Sequence, residues 1–107
     1  MPWFIKTEQF NTETVKLLPE LREKYIEQHR TWLFKLKNEG IQISSGYLVD
    51  KNHCPGGGGL LILEANSYAE AKSIIEHDPM IEAGLVTWQL QEWIEVYGQP
   101  IVCSQRG

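Results

Sequence analysis

Basic residues are few in this chain: ten Lys and Arg stand against fourteen Asp and Glu among 107 residues, for a net charge of -4. They are scattered rather than gathered into a stripe, which argues against a phosphate-backbone partner, so no nucleic acid is expected. Long apolar runs are lacking too. No stretch approaches the roughly 20 residues needed to cross a bilayer, so no membrane partner is expected. Met1-Pro2-Trp3 runs directly into strand-like sequence rather than a basic-then-apolar leader, and a cytoplasmic protein is expected. There are two cysteines, Cys54 and Cys103, in Gly- or Ser-flanked segments. With neither metal-ligand nor disulfide-scaffold spacing, both read as free thiols.

What is present is ordinary globular material, 42% hydrophobic and 22% charged, enough for one core and too little for a second domain. The chain reads as a single domain over residues 1–98 with a tail over 99–107.

Trp3 to Phe10 is rich in aromatic and β-branched residues and predicts a first strand. Pro19-Glu20 opens a long helix whose apolar positions Leu18, Leu21, Tyr25, Trp32 and Leu36 recur at spacings of three and four. Lys35 and Lys37 suit its last turn, and Gly40 its stop. Ile41 to Asp50 predicts a second strand with Ile41, Ile43, Ser45 and Tyr47 on one face. Lys51 to Gly59 reads as a mobile hairpin tip. It is not a phosphate loop, because no Lys-Ser/Thr closes it and a strand rather than a helix follows. Leu60-Leu61-Ile62-Leu63 lacks alternation and predicts a strand buried on both faces. Ser67-Tyr68-Ala69-Glu70 is a capping-box pattern opening a second helix. Val86 to Tyr97 alternates as a fourth strand, broken on its apolar face by Glu92.

The break between the second helix and the fourth strand is Glu76-His77-Asp78-Pro79. Proline disfavours helix for the residue before it. Asp78 is therefore expected to cap a short turn with Pro79 at its first position and Gly84 ending it. Capping alone accounts for an Asp there, and a chemical role needs a partner.

His29 is the polar member of the long helix's inward stripe, four residues after Tyr25 and three before Trp32. An imidazole so placed must find a hydrogen bond, since a dry unpaired group costs about 1–3 kcal/mol. A backbone carbonyl would serve structurally, and a carboxylate would make it a base.

The order strand, helix, strand, strand, helix, strand is that of an α+β, ferredoxin-like β-α-β-β-α-β unit with an antiparallel four-stranded sheet and both helices on one face. The other face, with a doubly apolar third strand and Trp3, Phe4, Trp88 and Trp93 in its flanking strands, predicts a large apolar patch. A second copy packed sheet to sheet would cover it, giving a homodimer. The tail or a larger partner protein competes for that role. In this topology His29 and Asp78 are able to meet at one end of the sheet. The carboxylate would then fix the ring tautomer and leave the second nitrogen facing a cavity, as in a general acid or base.

His29-x-x-Trp32-Leu33-x-x-Leu36-x-x-x-Gly40, Ser45-Gly46, Gly59-Leu60-Leu61-Ile62-Leu63-Glu64 and above all Asp78-Pro79-x-x-x-Ala83-Gly84-Leu85-Val86 resemble the YCII-related (YciI-like) proteins over residues 3 to 97. The resemblance implies a dimeric α+β barrel and a catalytic His-Asp pair, His29 and Asp78 here. It also implies lyase or isomerase chemistry similar to that of muconolactone isomerases or of a relative that removes chloride from a ring-cleavage intermediate. Ser45, Gly46 and Tyr47 are expected to bind substrate. Many relatives have Pro after Ser-Gly where this chain has Tyr47, which implies a differently shaped substrate or a site plugged by the ring.

The first expectation is therefore a cofactor-free lyase or isomerase acting on a small unsaturated or lactone-type organic acid. No metal is expected, because His53-Cys54 and His77-Asp78 lack ligand spacing; His77 reads as a favourable cation at a helix C-terminus. The alternative is a non-catalytic module that binds a small organic acid or docks a partner on the same fold. A cofactor-independent oxygenase is a third reading, and it leaves the His-Asp pair without a special role.

Overall fold

The computed structural model describes residues 1–11 and 19–98. Strand β1 (Trp3–Phe10) is followed by helix α1 (Pro19–Asn38), strands β2 (Ile43–Val49) and β3 (Pro55–Glu64), helix α2 (Tyr68–Ile75), a one-turn helix α3 (Pro79–Glu82) and strand β4 (Val86–Trp93). The sheet is antiparallel throughout in the order β2-β3-β1-β4. This is the α+β ferredoxin-like arrangement expected from the element order. The expected Leu18 and Cys103, and the tail itself, lie outside the described residues.

Strand parity decides which side chains meet the helices. Phe4, Leu61 and Leu63 occupy one side of β1 and β3 and are buried with Ala71 and Ile75 of α2 and Leu90 of β4. Trp32 and Leu33 of α1 pack against this cluster. Phe4 also meets the Tyr68 ring edge-on, with centroids 6.3 Å apart. Of the expected α1 stripe, Leu36 is buried while Leu21 stays exposed. Ile62, of opposite parity to Leu61 and Leu63, is buried as well, so the unbroken apolar run of β3 has side chains of both parities out of solvent.

The expected apolar patch on the other sheet face needs correction. Phe4 is buried in the core and Trp88 packs against it, which leaves Trp3 and its cross-strand neighbour Trp93 as the outward aromatics. The outward positions of β4 between them and the turn are Thr87, Gln89 and Gln91, all exposed.

The hairpin over 51–59 also differs from expectation. The glycines are not a loose tip: β3 begins at Pro55 and carries all four. The turn is confined to 50–54, where Asp50 Oδ1 accepts from Asn52 N (2.8 Å) and Cys54 N (3.0 Å), and His53 takes a φ of +67°. Asp50 thus supplies the turn chemistry, and the glycines are free to enter a strand that other side chains approach closely. Cys54 is a free, exposed thiol.

At the far end, β4 stops at Trp93 because its partner β1 ends at Trp3. Beyond it Ile94, Val96 and Tyr97 are exposed. Among the described residues no helix is long and apolar enough to cross a membrane.

Candidate functional site

The local structure of α2 and α3 places Asp78. Ser67 caps α2 by accepting from Glu70 N at 3.1 Å, and the Glu70 carboxylate returns to Asn66 N at 2.5 Å. The helix closes at Ile75, and Pro79 then forces Asp78 into extended backbone, φ -61° and ψ 124°. Asp78 Oδ1 accepts from Met80 N at 2.9 Å, as an N-cap should. Gly84, at φ +70°, ends α3, and Asn11 Nδ2 donates to its carbonyl at 2.7 Å, tying this corner to the end of β1.

The cap is only one of three tasks for this carboxylate, which is fully buried. Its Oδ1 also receives His29 Nδ1 at 2.8 Å. Its Oδ2 receives Lys6 Nζ at 3.2 Å. Lys6 is itself 1% exposed and pairs in addition with Glu8 Oε1. Burial is the largest influence on the Asp78 carboxyl and pushes its pKa up. The hydrogen bond and charge of His29, the Lys6 ammonium and the Met80 N–H together outweigh it and hold the group below its ordinary value.

With Asp78 ionised, His29 donates its Nδ1 proton and presents the lone pair of Nε2 on the opposite side. Ser45 Oγ lies 3.2 Å from Nε2, so its hydroxyl donates there. The Trp32 ring lies 5.7 Å from the imidazole, centroid to centroid. His29 retains 16% exposure, and that exposed edge opens on a cavity of about 770 Å³. Its apolar walls come from Phe10, Ile26, Leu33 and Met80; Glu8, Arg22 and Arg30 also line it. The glycine run of β3 forms the wall facing α1.

All the expected site residues converge. His29 and Asp78 bond directly, and Ser45, Gly46 and Tyr47 lie along the same cavity. Tyr47 is 72% exposed, so its ring stands at the rim and does not plug the site. The residues that sequence reasoning missed are Lys6, Glu8 and Arg22. A signal existed for the first two. Lys6 and Glu8 share strand parity with Phe4, which places them on the helix-facing side of a central strand, where a charge must have a partner.

Elsewhere His77 meets Glu82 at 3.6 Å on the surface, away from this network. Among the described residues no group of three or more His, Cys, Asp or Glu side chains is arranged to hold a metal ion.

The family model described as the YCII-related domain matches residues 3–94. Among curated proteins none matches the chain. Among solved structures, the chain is similar to 5-chloro-2-hydroxyhydroquinone dehydrochlorinase from Burkholderia phenoliruptrix AC1100, solved in complex with 2,5-dihydroxybenzoquinone. The two are 24% identical with a TM-score of 0.66, over 88% of this chain and 95% of that one. At that identity the likeness is one of fold.

Proposed function

We propose that this chain, which belongs to the YCII-related family, is a small-molecule enzyme in which His29 moves a proton and Asp78 orients and charges it. The observation that carries this reading is the 2.8 Å contact between His29 Nδ1 and a buried, ionised Asp78, with the opposite ring edge opening on a cavity. A substrate with an acidic C–H beside a carbonyl would give that proton to Nε2. The imidazolium so formed is stabilised across Nδ1–H by the carboxylate. Returning the proton to another carbon is isomerisation. If instead the C–H electron pair forms a double bond and a β-substituent departs with its own pair, the reaction is an elimination. Such general acid–base catalysis contributes about 10²–10⁴ in rate. The dehydrochlorinase of similar fold and its quinone ligand favour an oxygen-rich, ring-sized substrate.

In this reading the working unit is a homodimer in the cytoplasm, paired through the sheet face that carries Trp3, Ile5 and Trp93. Light scattering on the purified protein would return twice the 12.3 kDa chain mass; a monomer would remove the dimer. The alternative, a non-catalytic binding module, is favoured by the Ser45 hydroxyl already occupying Nε2.

A panel of unsaturated lactones and halogenated acids in deuterated water, followed by proton NMR, separates the two readings. The enzyme reading expects deuterium uptake or halide release with wild type and a loss of about 10²–10⁴ in His29→Ala. Equal turnover by both proteins would sink the catalytic role of His29. Binding without exchange would establish the module.

A further inference from the structure

The charges along the cavity do not follow those of the chain. The molecule carries a net -4, yet the cavity has two arginines and one carboxylate on its walls. The carboxylate, Glu8, is matched by Lys6. Arg30 is matched as well, donating to Glu27 at 2.8 Å with Glu23 at 3.9 Å, and is 64% exposed. Arg22 is different. Its Nε is buried and has no hydrogen-bond partner, and among the described residues it takes part in no ion pair.

We infer that Arg22 anchors a carboxylate group of the substrate, at the opposite end of the cavity from His29. The inference deepens the proposed function, since it takes this cavity as the substrate site. An arginine kept for structure has its planar donors filled by the protein, whereas Arg22 lines the cavity with its Nε dry and unfilled and its terminal nitrogens, outside any ion pair among the described residues, left to receive an acceptor from outside. Arg22 and His29 are seven residues apart on α1, two turns along one face, a rise of about 10 Å. Ile26 lies between them on the same face and lines the cavity. A ligand lying along the helix would thus place a planar anion on the guanidinium, an apolar or ring portion against Ile26 and Leu33, and its reacting carbon at Nε2. A single free guanidinium between apolar walls fits a carboxylate, which takes two parallel N–H bonds.

Benzoate and benzamide, alike in shape and differing in charge, test the assignment by titration against the backbone amide signals of Gly56 to Gly59. Wild type is expected to bind benzoate about tenfold more tightly than benzamide. Arg22→Gln should bind the two equally, Arg22→Lys should keep part of the preference, and Arg30→Gln should keep all of it. The titration reads binding and no turnover, so a failure of proton transfer leaves this result standing and the two claims fall separately. Equal affinities in wild type, no saturable binding of benzoate, or a preference that survives Arg22→Gln would each overturn the assignment.

Discussion

Lys6 and Asp78 are 72 positions apart in the chain and 3.2 Å apart in the fold, both without solvent exposure of any consequence. Their contact places an ammonium group behind the carboxylate that holds His29. Removing one partner of a buried pair leaves the other charge uncompensated, at a cost of about 3–5 kcal/mol. Lys6→Met, which keeps the stem and deletes the ammonium, is expected to lose about 3 kcal/mol in urea unfolding at neutral pH. A loss under 0.5 kcal/mol would show that the pair is dispensable.

The pH dependence follows from Asp78. Its carboxyl is held below the ordinary value of 3.8 when folded. As pH falls, the unfolded chain therefore takes up the proton first. The stabilisation is complete above the unfolded value and is lost progressively as pH drops towards and through the folded one. Asp78→Asn has no such titration. The stability gap between wild type and Asp78→Asn, measured by denaturant melts, should narrow as the pH is lowered below about 4. A gap that widens in acid would reverse the sign.

Ser45 donates to the same nitrogen that the proposed reaction uses. If it only orients the free imidazole, Ser45→Ala should lower kcat less than about tenfold, while His29→Ala lowers it by about 10²–10⁴. Equal losses in the two variants, together with covalent labelling of Ser45 by a fluorophosphonate, would instead make the hydroxyl a nucleophile.

Gly59 sits directly across from Glu8 in the β1–β3 register. A Cβ at this position would meet Glu8 Oε2 at 2.9 Å and Glu8 Cγ at 3.1 Å. Gly59→Ala must therefore push the Glu8 side chain away from Lys6, at about 1–3 kcal/mol. Because the clash is with one side chain, Glu8→Ala should relieve it. The double variant is expected to cost less than the two single changes together. Simple additivity would place the strain elsewhere.

Much of this arrangement was legible in the order of residues. Pro79 fixes where α2 must end, and the residue before it becomes a cap whatever else it does. The three- and four-residue spacing of α1 turns His29 inward, and Asp-Pro followed by Ala-Gly placed the second half of the pair. The glycines of β3 were misread, because glycine reads as a turn unless the close approach of a distant side chain is known. Lys6 was missed because the parity it shares with Phe4 points inward only once Phe4 is known to face the helices. The unmatched Nε of Arg22 was beyond reach, since it depends on what α1 packs beside.

Asp78 holds a helix end, a buried ammonium and an imidazole through the same two oxygens. Such a residue is not free to drift even where no reaction is run, because the fold itself would suffer. An aspartate at this corner in a distant cousin is thus poor testimony to turnover. His29, partly exposed, is the better witness: a descendant that has retired from chemistry should exchange it for something bulkier or greasier long before it gives up the acid.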